Sequence, residues 1–271
     1  VSWRTPQLYT IKVMRIGQLL NIGFGCIVIT TAIIHIFNQI NWWVYVVLFS
    51  IWLVCVLLGS WFIRLNYFFK SLHSKPNHTE QQVAITFDDG PHSKFTQDVL
   101  KLLKTHSAKA TFFLIGKHIE ENPNVVASII KEGHTIGNHT YSHSTTFGFF
   151  SKTRVRKELE KTNALLREQT GKNIQLFRPA FGVTNPNIAH AVKALNLTAI
   201  GWNQRSLDTT SLSEDAIFKR ITKNLKPGDV ILLHDTSEKS VAVLERLLLF
   251  LKTKDLKSVT VNQLFQIKAY A

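Results

Sequence analysis

The chain has 271 residues, enough for one catalytic-sized domain plus additional elements, with 32 Lys and Arg against 18 Asp and Glu. Residues 1–79 hold six basic side chains (Arg4, Lys12, Arg15, Arg64, Lys70 and Lys75) and no acidic one; residues 80–271 hold 26 basic and all 18 acidic residues, a net of +8. The two cysteines, Cys26 and Cys55, both fall in the N-terminal apolar region. A disulfide framework is therefore excluded for the rest of the chain, and no internal repeat or low-complexity tract is evident.

No charged residue occurs between Arg15 and Arg64. Within that run 17–37 and 43–63 are each long and apolar enough, at about 20 residues, to cross a bilayer. The polar turn Asn38 to Trp42 joins them. Trp42, Trp43 and Tyr45 suit one membrane interface; Trp61, Arg64 and Tyr67 suit the other. A cleaved signal peptide fits poorly, because the apolar run is too long and doubled. A buried hairpin of a soluble protein is the competing reading, but it needs two successive helices that both lack a polar face. Asn21 and His35 read as hydrogen-bond partners between the two helices. The expectation is a membrane anchor over 1–68. Both its flanks are basic and its turn uncharged, so the positive-inside rule favours the cytoplasmic side for the ends and for the domain beyond. Residues 69–80 are polar and aperiodic and read as a linker.

From residue 81 onward strand-like and helix-like segments alternate. Strands are expected at 83–87, 110–115, 135–138, 175–178, 198–202, 230–234 and 258–261. Helices are expected at 95–106, 123–132, 153–169 (closed by Gly171), 187–195, 213–225 and 238–252. Seven strands with helices between them predict parallel βα units. Polar groups recur at the C-terminal ends of the strands, where a β/α barrel builds its active site. An open doubly wound sheet is the alternative, without a Gly-rich phosphate loop to support it.

Five stretches carry the chemistry. In Val83-Ala-Ile-Thr-Phe-Asp-Asp-Gly-Pro91 an apolar strand runs into two adjacent carboxylates, which must face a cavity or solvent. Such a pair can divide its labour, one carboxylate on a metal and the other free as a base. Asp-Gly-Pro is also ordinary turn chemistry. His139 and His143 are four apart, so one helical turn would bring both imidazoles to one side. With one carboxylate they make a three-ligand site with an open position; His134 nearby reads as structural. Arg178, at a strand end before a proline turn, suits a fork onto a carboxylate, or a surface loop. The strand of Pro227 to Asp235 delivers His234 at its end. Asp208, from Gly201-Trp-Asn-Gln-Arg-Ser-Leu-Asp208, is a plausible partner to hold that imidazole protonated as a general acid.

The ordered set Thr-Phe-Asp-Asp-Gly-Pro, His-x-x-x-His, Arg-Pro-Ala-Phe-Gly, Asp208 and Leu-Leu-His-Asp resembles the polysaccharide deacetylase family (the NodB-homology domain, carbohydrate esterase family 4) over about residues 80–271. The resemblance implies a distorted, incomplete (β/α)7 barrel, here preceded by the two-helix transmembrane hairpin. It implies Asp88 as general base, with Asp89, His139 and His143 on a divalent metal, Zn²⁺ or else Co²⁺ or Ni²⁺. Arg178 would orient the base, and Asp208 would tune His234, the general acid. Phe181 would offer its N–H to the acyl carbonyl, Leu232 would line the acetyl pocket, and Trp202 would contact substrate.

The chain departs from the family pattern at three places: Thr209 follows Asp208 where the family has Trp, Arg205 stands where an Asp is frequent, and Phe181 replaces Tyr. None removes a ligand, the base or the acid, but Arg205 and Thr209 reshape the substrate groove. The function expected is removal of N-acetyl groups from amino-sugar glycans at the membrane. The alternatives are deacetylation or deformylation of a lipid-linked amino sugar, and a non-catalytic glycan-binding membrane protein. The partners implied are the glycan and the bilayer, with no nucleic acid.

Overall fold

The structure is a computed structural model and describes residues 16–271. Arg4, Lys12 and Arg15, the charges expected before the first span, lie outside the described residues. The chain opens with α1 (Ile16–Asn38) and α2 (Trp43–Trp61). Both are long and apolar enough to cross a membrane. Of their apolar windows 0% and 6% is buried, so neither serves as a core helix.

The remaining elements are β1 (Ser71–Leu72), β2 (Gln82–Asp88), α3 (Phe95–Thr105), β3 (Ala110–Leu114), α4 (Gly116–Glu121), α5 (Pro123–Lys131), β4 (Thr135–Asn138), α6 (Lys152–Thr170), β5 (Leu176–Phe177), α7 (Pro186–Ala194), β6 (Thr198–Ile200), β7 (Gln204–Arg205), α8 (Glu214–Thr222), β8 (Val230–His234), α9 (Glu238–Thr253), β9 (Lys257–Ser258) and α10 (Val261–Phe265). The strands form one parallel sheet in the order β1-β6-β5-β4-β3-β2-β8-β7, with β9 added on β2. The sheet is a curled half-barrel covered by helices, the incomplete barrel that was expected.

Strand alternation sorts the side chains of the central strands. Val83, Ile85 and Phe87 of β2, with Ile231 and Leu233 of β8, join the core under α3, α5 and α9. Ala84, Thr86 and Asp88, with Val230, Leu232 and His234, take the opposite face, inside the barrel. That phase makes a polar residue at the end of β2 or β8 point into the mouth. Five helices, α6 to α10, start on side-chain caps: Ser151, Asn185, Ser213 and Ser237 each accept a backbone N–H in the first turn, and Thr260 forms a capping box with Gln263. Gly171 closes α6 with φ 68°.

Two short strands were not anticipated. β7 lies in the stretch read as a loop before Asp208. β1 lies within residues 69–80, read as a linker. There Ser71 and Leu72 pair with Ala199 and Ile200, Phe69 is buried, and the Lys75 N–H bonds Gly228 O at 2.8 Å. The segment is polar because it is an edge strand, and two residues are too few to show alternation.

The helical hairpin is built into the domain through Tyr67. Its ring lies where a Cβ on Gly17 of α1 or Gly59 of α2 would be, and its hydroxyl donates to Asn21 Oδ1 at 3.0 Å. The same oxygen accepts from Trp52 Nε1 at 3.0 Å, so Asn21 bridges the helices as anticipated. Thr184, in the loop after β5, donates its N–H to Ser60 O (2.8 Å) and its hydroxyl to Gly59 O (2.7 Å), satisfying carbonyls of the last turn of α2. Removing a buried aromatic ring costs about 3 kcal/mol, roughly a hundredfold in a local equilibrium. Tyr67→Ala is therefore expected to speed tryptic cleavage at Arg64 and Lys70 by up to that factor while the rest of the domain keeps its resistance, as followed by mass spectrometry of timed digests.

Candidate active site

The site grows from the end of β2. Asp88 is the last residue of that strand, on the inner face and buried. A carboxylate there needs a partner, and Arg178, just past β5, supplies it: Nη1 meets Asp88 Oδ1 at 2.7 Å. The guanidinium is itself completely buried. Nη1 also donates to Thr86 Oγ1 (2.8 Å), Nε to Ile200 O (3.1 Å) and Nη2 to Gly201 O (2.9 Å). Phe113 lies 4.2 Å and Trp202 5.5 Å from its plane, as ring-centroid distances. Burial lowers the Arg178 pKa, and the Asp88 charge opposes that.

Asp89 leaves the strand with φ 72° and so turns away from Asp88. Its carbonyl is held by His118 Nδ1 at 2.7 Å. The carboxylate faces His139 and His143, whose Nε2 atoms lie 3.4 and 3.3 Å from Oδ1. That oxygen is buried and takes no hydrogen bond. His139 Nδ1 sits 2.8 Å from Arg178 O; a carbonyl only accepts, so Nδ1 carries the proton and Nε2 presents its lone pair. One carboxylate oxygen and two imidazole nitrogens within 4.8 Å of one another, one of them an orphaned buried acceptor, fit a divalent cation.

The close approach of these groups shifts all three. Burial alone would raise the Asp89 carboxyl, but the imidazoles of His139, His143 and His234 hold it well below the usual carboxylate range. Burial and the neighbouring His139 push His143 down to about 4, keeping it neutral. Burial would lower His139 too, but the Asp88 and Asp89 carboxylates raise it.

The two histidines do not meet through a helical turn. Residues 139–143 form a loop with Thr140 at φ 66° and His143 at φ 45°. Local acceptors outcompete the helix: Asn138 Oδ1 takes the Thr140 N–H at 2.9 Å, and Glu158 takes the N–H groups of Tyr141 (3.1 Å) and Ser142 (2.8 Å). The rings still come together, with centroids 4.9 Å apart. His134 lies outside the site, where its Nδ1 accepts the Ala110 N–H at 3.2 Å.

On the neighbouring strand, His234 ends β8 beside Asp88 in register. Its Nδ1 donates to Asp208 Oδ1 at 2.7 Å and its backbone N–H to Oδ2 at 2.9 Å. Ser206 Oγ adds a bond to Oδ1 (2.6 Å) and Ser240 Oγ one to Oδ2 (2.8 Å). Burial would lower the His234 pKa, but Asp208 and the more distant Asp88 and Asp89 lift it to about 9. Nε2 points into the cleft, 3.9 Å from Asp89 Oδ2.

The cleft has a volume of about 180 Å³ and is lined by these groups together with Phe181, Trp202 and Leu232, room for roughly six waters. Arg205 and Thr209 also line it, on the side where the chain departs from the expected pattern. Phe181 stands half-exposed at the rim with φ 57°. All ten residues singled out from the sequence thus converge on one cleft or its walls. The supporting residues Thr86, His118, Asn138, Ser206 and Ser240 were missed. Thr86 was accessible to the alternation of β2, two positions before Asp88; the serines had no local signal.

The polysaccharide deacetylase family model matches residues 75–200. A peptidoglycan-N-acetylglucosamine deacetylase of Bacillus cereus is 36% identical over 211 residues, covering 76% of this chain and 74% of the relative. A solved peptidoglycan N-acetylglucosamine deacetylase in complex with 4-naphthalen-1-yl-N-oxidanyl-benzamide superposes with a TM-score of 0.69 at 36% identity, covering 73% of this chain and 94% of the other. A family 4 carbohydrate esterase from Streptomyces lividans in complex with acetate gives a TM-score of 0.63 at 30% identity, covering 70% and 96%.

The buried pair supplies a test by paired substitution. Arg178→Met leaves a buried carboxylate unpaired and is expected to destabilise the domain by about 3–5 kcal/mol. Combining it with Asp88→Leu should restore much of that loss, as read from thermal unfolding in detergent. Equal losses in the single and double variants would show that the pair is not energetically coupled.

Proposed function

Because the chain belongs to the polysaccharide deacetylase family, whose members hydrolyse carbon–nitrogen bonds other than peptide bonds, we propose that it is a metal-dependent deacetylase of N-acetylated amino sugars, working at a membrane. The observation that carries this reading is the placing of two dissimilar proton-handling groups, Asp88 with Arg178 and His234 with Asp208, next to the Asp89, His139 and His143 cluster. One cleft thus offers a base, an acid and a cation site together. The relatives support an N-acetylated sugar as substrate: several are named peptidoglycan-N-acetylglucosamine deacetylases and others chitooligosaccharide deacetylases.

Asp89, His139 and His143 would hold the cation; this donor set suits Zn²⁺, and Co²⁺ or Ni²⁺ take the same ligands. When bound, such an ion polarises the acyl carbonyl and acidifies water. Asp88 has Oδ1 committed to Arg178, so Oδ2 receives the proton of the attacking water. The Phe181 N–H, at the rim, assists the carbonyl oxygen as negative charge builds on it, and Leu232 flanks the acetyl methyl. His234 keeps its Nδ1 proton on Asp208 and gives the Nε2 proton to the departing amine. The C–N bond breaks, leaving a free amino sugar and acetate.

A second reading, a lipid-linked amino sugar as substrate, is favoured by the bonds from Thr184 to Gly59 and Ser60. They place the loop of Arg178 and Phe181 beside the end of α2. The side of the membrane decides between the two. The basic residues flanking the apolar run favour the cytoplasm, from which a mature wall polymer is out of reach.

The direct test incubates the detergent-purified chain with short chitooligosaccharides and with lipid-linked N-acetyl sugars, with and without chelator. Acetate release abolished by chelation and restored by Zn²⁺ is expected. His139→Ala should lose both metal and turnover, since two protein ligands rarely retain Zn²⁺. Asp88→Asn should keep the metal and lose on the order of a hundredfold or more in kcat. Full activity after exhaustive chelation would remove the metal from the mechanism.

The pH profile tests the acid. A group with a raised pKa is protonated, and active as an acid, below that value and loses its proton as pH rises through it. The alkaline limb should therefore belong to His234, and Asp208→Asn, by removing the charge that raises it, should move that limb to lower pH. For topology, a cysteine at exposed Thr79 in a Cys26- and Cys55-free chain should escape an impermeant maleimide in intact cells and react after permeabilisation. Labelling of intact cells would place the domain outside and remove the precursor reading.

A further inference from the structure

We infer that the corner of the domain formed by residues 147–157 is a second membrane contact, which takes anionic lipid headgroups and seats the mouth of the cleft against the bilayer. The inference rests on the reading of α1 and α2 as membrane spans.

The corner is tied to the end of that hairpin by short links. Ser60, in the last turn of α2, accepts the Thr184 N–H at 2.8 Å. The next residue, Asn185, donates Nδ2 to Gly148 O at 2.7 Å, and Asn187 donates to Phe150 O at 3.0 Å. Gly148 thus lies two hydrogen-bonded steps from the point where α2 leaves the apolar layer, flanked by the exposed Trp61 and Phe62. At this place the chain presents Phe149, which is 92% exposed although Phe147 and Phe150 on either side are buried. A ring held out alone at a loop tip gains nothing from water and gains transfer free energy in an interface.

Cations surround it. Lys152, Arg154, Arg156 and Lys157 are all exposed on the first turns of α6. Arg156 pairs with Glu160 at 2.7 Å, and Arg154 stacks over Phe150 at 3.5 Å. Lys152, Arg154 and Lys157 have no ion-pair partner among the described residues. Glu158, on the same helix, turns its carboxylate inward onto the Tyr141 and Ser142 amides and does not neutralise them. A cationic cluster beside an exposed aromatic ring, continuous with a hydrophobic hairpin, matches an anionic headgroup layer. Phe181 lies three residues before Thr184, so the cleft rim borders the same layer.

The test uses the full chain in lipid nanodiscs. In a Cys26→Ala/Cys55→Ala background, Phe149→Cys carries an environment-sensitive NBD label. Lys252→Cys, exposed near the end of α9 at the opposite end of the sheet, carries it as a control. In discs containing phosphatidylglycerol, the label at 149 should emit at shorter wavelength and be quenched by iodide several-fold less than the control. Lys152→Gln/Arg154→Gln/Lys157→Gln, or discs of phosphatidylcholine alone, should shrink the difference. Equal quenching at the two positions in a chain that is incorporated in the discs overturns the proposal while leaving the hairpin reading intact. Protection at 149 that ignores both lipid charge and the three lysine and arginine changes overturns the assignment to anionic headgroups. A chain that fails to enter discs at all overturns the hairpin reading and this proposal with it.

Discussion

A carboxylate placed at the inner end of the central strand has to be answered by a cation, and the ion pair of Asp88 and Arg178 is the constraint around which the barrel is arranged. Arg178 has five N–H donors in a fixed plane, and a guanidinium sealed from water must find acceptors for them. It finds them on β2 through Thr86 and Asp88, and on β6 and the residue after it through the carbonyls of Ile200 and Gly201. One side chain therefore spans the inside of the half-barrel and ties strands that are four places apart in the sheet order. Its carbonyl, through His139 Nδ1, also sets which nitrogen that imidazole offers to the cleft. The orientation of Asp88 and the tautomer of a candidate metal ligand thus depend on the same residue.

Neighbouring carboxylates have different fates for a backbone reason. Asp88 is still in the strand and faces inward; Asp89 has crossed into the left-handed region and faces the histidines. Asp235 shows a third outcome. It is buried against Gly90, where any Cβ would come within 2.5 Å of its carboxylate, and it accepts the Thr96 hydroxyl. Burial pushes it up to about 7, so its environment tolerates the neutral acid, whereas Asp89 stays ionised a few residues away. Charge in this cleft is placed by local geometry more than by composition.

Much of this was legible in the sequence where periodicity or adjacency carries the signal. The central strands, at 83–87, 110–115, 135–138 and 230–234, show as short apolar runs, and Asp88, Asp89, His139, His143 and His234 lie at or just past the ends of three of them. The (β/α) alternation suits a barrel and a doubly wound sheet alike; the polar groups at the strand ends, the lack of a Gly-rich phosphate loop and the family resemblance pointed to the barrel. What stayed hidden has physical causes. β1 and β7 are two residues each, too short to display a period. The loop of 139–143 follows from acceptors on Asn138 and Glu158, and Glu158 is more than a dozen residues away, so spacing alone suggested a helix. Ser206 and Ser240 hold Asp208 from two separate elements. The docking of the hairpin depends on Tyr67 meeting two glycines far apart in the chain.

The arrangement around Asp208 has a consequence for traffic of protons. Each of its oxygens already accepts two donors, from Ser206, Ser240 and both nitrogens that His234 offers. A carboxylate oxygen has room for about two such bonds. A proton arriving at Asp208 would have to evict one of these donors, and a half-turn of the imidazole would break the bond at Nδ1. The ring is therefore a terminal with one open port. Protons enter and leave it only through Nε2, which faces the cleft, and none can drain away through the protein behind it.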